Sequence, residues 1–328
     1  MLRHVDSREP GDSLLRDIEA WAVELVRRAG EMALERFRRP MQVEYKQQGR
    51  RDPVTDVDRG VEQFLRSAIA REFPQHGVLG EEGTETDGAG HDYLWVLDPI
   101  DGTSNYVNGL PLFGCSAGLL YRGEPVVGAI FLPVAPRAGD STKEVVGEAA
   151  ASVPAWGSGV LHARLRMGTH LDGTRVFAST AERPEPTALA GLPAHHARQF
   201  RRRERLREVP GELRCLGSVC FETAMVACGV LQYGVFRRPR LWDLAAGALL
   251  VREAGGRILR WRRNRWEPLG RFEAMANPAR PDEEGLRYWT ATTLLGGSRV
   301  AGYVAERLRP KAGLRDRVAD LMLGFLRG

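Results

Sequence analysis

The stretch WVLDPIDGTSNYVNG, residues 95 to 109, constrains the fold more than any other part of the chain. Its β-prone hydrophobics read as a buried strand that ends on Asp98, and Pro99 and a second acid, Asp101, lead into Gly102, Thr103 and Ser104. Pro99 fixes its own φ, so one short loop can offer Asp98, the Ile100 carbonyl and Asp101 to a single point, as a metal cradle does. If a helix begins after Gly102, its first N–H groups line the same wall and suit a phosphate.

Further acids stand at other element ends: Glu81 and Glu82 after VLG, and Asp243 after Trp242 at a helix start. Singly, each has a plain structural account, Asp243 as an N-cap and Asp101 as a turn-former beside glycine. Together they are hard oxygen donors with no histidine cluster beside them, which suits Mg²⁺ and argues against zinc.

Around these segments the pattern runs from helices to strands. Leu15, Ile18, Trp21, Ala22, Leu25, Ala29 and Met32 recur at helical spacing, which predicts an amphipathic helix over 12–39 with Asp12 or Ser13 as its cap and Pro40 as its stop. QVEYKQQGRRDPVTDVD reads as an exposed loop ending in Asp56 and Asp58, and VDRGVEQFLRSAIAREF as a second helix. HGVLGEEG is a short strand running into a turn. YLWVLD, GCSAGLLYRG and EPVVGAIFLPV follow as strands, the last two an antiparallel hairpin turning at Arg122 to Glu124.

A second unit is expected to begin near residue 172 with the strand TRVFAST. The helices VCFETAMVACGVL and WDLAAGALLVREAGG and the strand RILRW belong to it. The chain thus divides into an N-terminal α+β lobe over 1–172, a C-terminal α/β lobe over 173–310 and an extra amphipathic helix over 311–328. That last helix gathers Leu314, Val318, Leu321, Met322 and Phe325 on one face.

With 328 residues, 43% hydrophobic and 27% charged, the chain is long enough for two lobes with a substantial core. No apolar run is long enough to span a bilayer and the N-terminus has no apolar signal core, so a cytoplasmic location is expected. The four cysteines, Cys115, Cys215, Cys220 and Cys228, form no CxxC pair and read as reduced thiols; Cys220 and Cys228 fall on a helix as small buried hydrophobes rather than metal thiolates. The net charge of +5 favours anionic partners without identifying one. The arginine run at 201–207 lacks interleaved aromatics and reads as a solvated helix face, so a nucleic-acid partner is not expected.

The segments DPVTDVD, GEEG, WVLDPIDGTSNYV and LWDLAAGALLVREAGG resemble, in order and spacing, the signatures of the inositol monophosphatase family of Mg²⁺-dependent, often lithium-sensitive phosphatases. The resemblance spans roughly residues 14 to 277, with a poorly matching middle. It implies a layered αβαβα sugar-phosphatase fold of two lobes, a homodimer, and two or three Mg²⁺ ions at the site. Glu81, Asp98 and the Ile100 carbonyl would hold the first ion, and Asp98, Asp101 and Asp243 the second. A third, weaker site would also lean on Glu81.

By the same resemblance Thr103 and Asp58 would orient and deprotonate the attacking water, with Glu81 counted among the catalytic residues through its ion. The N–H groups of Gly102 and Thr103, next to Ser104, would bind phosphate, and Lys46 would match a basic residue of a mobile loop. The chain departs from the pattern before Asp243, where YGVFRRPRLWD has Phe236, Arg237, Arg238 and Arg240 in place of an acidic residue that contacts inositol. Arg237 there would suit a second anionic group, unless these arginines face solvent. Phe221 and Glu222 replace smaller family residues, and Glu222 would take a substrate hydroxyl.

The expected activity is hydrolysis of a small phosphate monoester, inositol monophosphate by default. Fructose 1,6-bisphosphate, a 3′-phosphoadenosine 5′-phosphate type nucleotide and histidinol phosphate are alternatives. A reading of another class, a non-catalytic partner of the transcription machinery, also stands.

Overall fold

The computed structural model describes residues 10–47, 51–83, 90–136, 157–202, 211–276 and 284–311. The first half runs α1 (Asp12–Arg36), β1 (Val43–Gln47), β2 (Arg51–Thr55), α2 (Asp56–Glu72), β3 (Gly77–Gly80), β4 (Tyr93–Asp101), α3 (Thr103–Val107), β5 (Gly114–Tyr121), β6 (Glu124–Ala135), β7 (Gly157–Arg164), β8 (Thr169–Leu171) and β9 (Thr174–Val176). The second half opens with β10 (Leu189–Gly191), α4 (His196–Gln199), β11 (Phe200–Arg202), β12 (Glu212–Arg214), α5 (Val219–Ala227), β13 (Leu231–Phe236) and α6 (Leu241–Glu253). It continues through β14 (Gly256–Arg262), β15 (Arg265–Pro268), β16 (Met275–Ala276), β17 (Glu284–Gly285), a 3₁₀ turn (Leu286–Tyr288), β18 (Thr293–Gly297), α7 (Ser298–Arg307) and β19 (Leu308–Pro310).

Strands β3 to β9 lie in sequence order in one seven-stranded sheet, and β12-β10-β13-β18-β14-β15 form a six-stranded one. Helices α1 and α2 cover the outer face of the first sheet through Leu15, Ile18, Leu25, Val61, Leu65 and Ile69. Helix α7 covers the far face of the second through Val300 and Val304. Between the sheets lie α5 and α6, apolar on nearly every side as a helix buried on all faces must be. The layers therefore read α-β-α-β-α, as expected.

The AAG of LWDLAAG has a packing reason. A Cβ on Gly118 of β5 would come within 2.8 Å of the Ala246 nitrogen, and one on Gly128 of β6 within 2.9 Å of the Ala246 oxygen. Small residues on both sides let α6 rest on the first sheet almost backbone to backbone. This close seat carries Asp243, at the head of α6, toward the end of β4.

Several expectations are corrected. The segment read as a loop before α2 contains an antiparallel pair, β1 with β2, whose cross-strand partners include Val43 with Thr55 and Tyr45 with Pro53. Helix α1 has Gly11 as its N-cap, with no side-chain cap, and Asp12 instead pairs with Arg16 and Arg164. The strand at TRVFAST is Thr174–Val176 and closes the seven-stranded sheet, so that sheet extends past residue 172. Arg201 and Arg202 lie on a strand paired with β19 rather than on a helix face; Arg203 to Arg207 and the amphipathic helix beyond Lys311 lie outside the described residues. The hairpin at Arg122 and Gly123 is as expected, both residues adopting positive φ.

Candidate active site

Strands β3 and β4 are parallel, and their register pairs Gly80 with Leu97. The next residues along each strand, Glu81 and Asp98, are thereby delivered side by side at one sheet edge. On the other flank, β4 pairs with β5 as Asp98 with Ser116 and Asp101 with Gly114, with a register shift between. Strand β4 thus runs through Asp101 instead of stopping at Asp98 as expected, and the shift falls at Pro99, which has no N–H to give a ladder.

Asp98 is 1% exposed, and its Oδ1 has no hydrogen-bond partner among the described residues. Burial raises its pKa well above the ordinary carboxylate range, and the charges of Glu81, Asp101, Asp243 and Asp58 push the same way. Burial likewise lifts Asp101 to about 6, against the stabilising N–H of Cys220, which its Oδ2 accepts. Asp243 is raised by burial and then by Asp101. It is not the N-cap of α6 but the third residue of its first turn, where Oδ2 accepts the Arg240 N–H at 2.8 Å. Burial takes Glu81 to about 7 even though the Lys46 ammonium opposes the shift.

Lys46, on β1, bridges Glu81 Oε1 at 2.9 Å and Glu82 Oε1 at 2.7 Å. Burial works against its charge, yet the Glu81 and Glu82 carboxylates together more than compensate, and its pKa is raised. A cleft of about 520 Å³ opens here, lined by Lys46, Arg59, Glu81, Glu82 and Arg287 among others.

The wall beyond Asp101 begins at Gly102, whose φ of 94° and the 2.9 Å approach to Ser218 Cβ that a Cβ would make both require glycine. Helix α3 follows, with Ser104 exposed in its first turn. Thr103 Oγ1 lies 3.2 Å from Asp58 Oδ1 and 3.0 Å from the Ile100 carbonyl. It has a single proton and donates to one of them at a time. Asp58 is fully buried at the start of α2, where its Oδ2 accepts the Thr55 N–H at 2.9 Å and the Thr55 hydroxyl in a capping box. Burial raises its pKa, while the bonds from Thr55 oppose the shift.

Two of the sequence candidates have other engagements. Glu222 is buried on α5 and its Oε1 accepts the Leu216 N–H at 2.9 Å, so it holds the loop entering that helix; burial lifts its pKa to about 7 against that bond. Arg237 reaches the Lys311 carbonyl at 3.5 Å. Sequence reasoning missed Arg287, which donates to the carbonyls of Gly80, at 2.8 Å, and Gly83 and lies over the Trp242 ring at 5.7 Å. It ties the loop carrying Glu81 to the residue before Asp243, and nothing in GLRYW signals that role. Cys220 is buried on a helix as expected, and its Sγ and carboxylate oxygens of Asp98 and Asp101 all lie within 4.8 Å of one another.

Five acids from four segments, four of them raising the central one, and a buried carboxylate oxygen without a partner fit a divalent cation bound by hard oxygens. The comparisons agree with this geometry. The model of the inositol monophosphatase family matches residues 14–292. Phosphatase IMPL1, chloroplastic, of Arabidopsis thaliana is 31% identical over 244 residues, 73% of this chain and 61% of that protein, so the match spans less than two thirds of that relative's length. Nus factor SuhB of Escherichia coli K12 is 32% identical over 72% of this chain and 82% of its own length. The fructose-1,6-bisphosphatase/inositol-1-monophosphatase of Aquifex aeolicus is 30% identical over 69% and 79%. Among solved structures, an IMPase of Thermotoga maritima superposes with a TM-score of 0.64 at 25% identity, covering 88% of this chain and 96% of that one. The suhB protein of Bartonella henselae superposes with a TM-score of 0.65 at 22% identity, over 88% and 97%. With the layered fold, the acid cluster and a family match over most of its length, this chain belongs to the inositol monophosphatase family.

Proposed function

We propose that this protein is a Mg²⁺-dependent phosphatase of small phosphate monoesters. The observation that carries the reading is Asp98, buried at the centre of the acids with one oxygen unpartnered. Glu81, Asp98 and the Ile100 carbonyl would hold one Mg²⁺, and Asp98, Asp101 and Asp243 a second. Bound there, Mg²⁺ supplies Lewis-acid stabilisation of phosphoryl charge and acidifies water.

The chain's own groups do the rest. Thr103 Oγ1 passes its proton to Asp58 Oδ1 and takes one from the attacking water, so the nucleophile forms without a covalent enzyme intermediate. The N–H groups of Gly102 and Thr103 meet the phosphoryl oxygens, with Ser104 beside them. Glu222 keeps the loop 215–217 in place against this wall. Inositol monophosphate is the default substrate. Fructose 1,6-bisphosphate draws support from the Aquifex relative, whose name joins both activities. Phosphate release from a panel of monoesters, with and without Mg²⁺, tests the reading. Release that ignores Mg²⁺ or survives Asp98→Asn overturns it.

A second reading, a binding role in transcription, is favoured by the likeness to Nus factor SuhB. It expects Asp98→Asn to leave the cellular role intact.

A further inference from the structure

Helix α5 enters the acid cluster at its second residue. Ser218 caps it by accepting the Phe221 N–H at 3.1 Å, and the next N–H, that of Cys220, goes to Asp101 Oδ2. Cys220 is therefore fixed at both ends: its backbone holds one acid, and its Sγ–H donates to the Asp243 carbonyl at 3.3 Å. The sulfur sits fully buried where α5, α6 and β4 converge. Cys220 belongs to the buried apolar cluster between the sheets, yet its Sγ and carboxylate oxygens of Asp98 and Asp101 lie within 4.8 Å of one another, so it stands at the boundary between that layer and the acids. The second, independent observation is the partnerless Oδ1 of Asp98, buried with the residue only 1% exposed.

We propose that this is a mixed oxygen and sulfur metal site, in which Cys220 Sγ joins Asp98 and Asp101 and makes the centre a tight acceptor of a thiophilic divalent ion of the Zn²⁺ class, in competition with Mg²⁺. The inference rests on the reading of these acids as Mg²⁺ ligands. Mg²⁺ takes oxygen and leaves a thiol idle, whereas a softer ion gains a thiolate bond from the same pocket. Bonds of about 2.3 Å to sulfur and about 2.0–2.2 Å to oxygen need donors roughly 3.5 Å apart, so side-chain shifts of about an ångström complete the set. The balance is simple: the S–H proton leaves to solvent as the sulfur–metal bond forms, and nothing is oxidised. Burial and the charges of Asp101 and Asp98 hold the proton on the free thiol, so the thiolate forms only together with the ion.

The test uses the full chain carrying Cys215→Ser, which removes an exposed competing thiol. Loaded with one equivalent of Zn²⁺, its X-ray absorption fine structure should contain one sulfur neighbour at about 2.3 Å together with oxygens. Adding Cys220→Ser should abolish that sulfur shell and weaken Zn²⁺ binding about tenfold or more by calorimetry. An oxygen-only shell before that change overturns the proposal without needing the second variant to fold, and so does a sulfur shell that persists after it. Mg²⁺-dependent phosphate release is measured on the same preparation. Release with an oxygen-only zinc shell overturns this inference alone, whereas no release removes the parent reading and the competition with it.

Discussion

Thr103 Oγ1 and Asp58 Oδ1 stand 3.2 Å apart although 45 residues separate them, one heading α3 and the other closing the first turn of α2. The contact joins the acid of a capping box to the wall of the metal site, so Asp58 serves a helix with one oxygen and a hydroxyl with the other. Thr103→Ala should lower kcat by about 10²–10⁴-fold, the span general-base catalysis supplies, and leave the melting temperature close to wild type. Asp58→Asn should lose both activity and roughly 1 kcal/mol of stability, because the cap is weakened too. Steady-state kinetics beside thermal melts separate the two variants; equal stability losses would count against the pairing.

Asp98→Asn should stabilise the metal-free protein at pH 8 by about 1–3 kcal/mol, since it replaces a carboxyl whose ionised form is opposed by burial and by the acids around it. The same change should erase the gain of about 2.7 kcal/mol expected when Mg²⁺ is supplied at a hundred times its Kd. Melting curves with and without Mg²⁺ check both halves.

The pH dependence has a definite sign. Folded-state values of about 7 for Glu81 and about 6 for Asp101 lie above the unfolded carboxylate values of roughly 4. The native metal-free state therefore holds more protons than the unfolded state between about pH 4 and 7. Its stability should fall as pH rises through that window. Mg²⁺ must displace those protons, so its affinity should rise over the same interval. Calorimetric titrations at pH 5.5 and pH 8, with melts at each, read both trends; flat profiles would contradict the burial argument.

Arg287 holds the Gly80 and Gly83 carbonyls and covers Trp242, so it braces the two segments that carry Glu81 and Asp243. Arg287→Lys keeps the charge but loses the planar fork. It should weaken Mg²⁺ binding by about tenfold, a cost near 1.4 kcal/mol, and raise the Mg²⁺ concentration needed for half-maximal rate more than it lowers the saturated rate. Metal titrations of the rate tell this from a general loss of fold.

The sequence made the candidate ligand acids legible because Glu81, Asp98 and Asp101 each adjoin a Gly or Pro, where periodicity breaks visibly, and Asp243 heads a helix. Asp58 was legible as an acid near a helix start, but the reach of its second oxygen to Thr103 depends on how α2 packs beside β4. The β1–β2 pair was read as a loop because the apolar alternation of Val43 and Tyr45 is only one repeat long and a polar, Gly- and Pro-bearing stretch follows it; it forms a separate two-stranded ribbon. Arg287, and the nearness of Cys220 to the acids, were invisible for a similar reason. An arginine in an irregular segment and a cysteine on an all-apolar helix carry no local mark, and only the approach of the two sheets around α5 and α6 gives them neighbours. The αβαβα layering was recognised through the family signatures, while the place of Thr174–Val176 in the first sheet was hidden, since a three-residue strand does not announce its partner.

The seat of α6 on Gly118 and Gly128 has one more implication. Where main chain lies against main chain, no deformable side chain stands between them as a cushion, so rotamer exchange cannot alter the gap. The separation of Asp98 from Asp243, contributed by opposite halves of the polypeptide, is then gauged by peptide thickness, and a single methyl group added at either glycine would reset it.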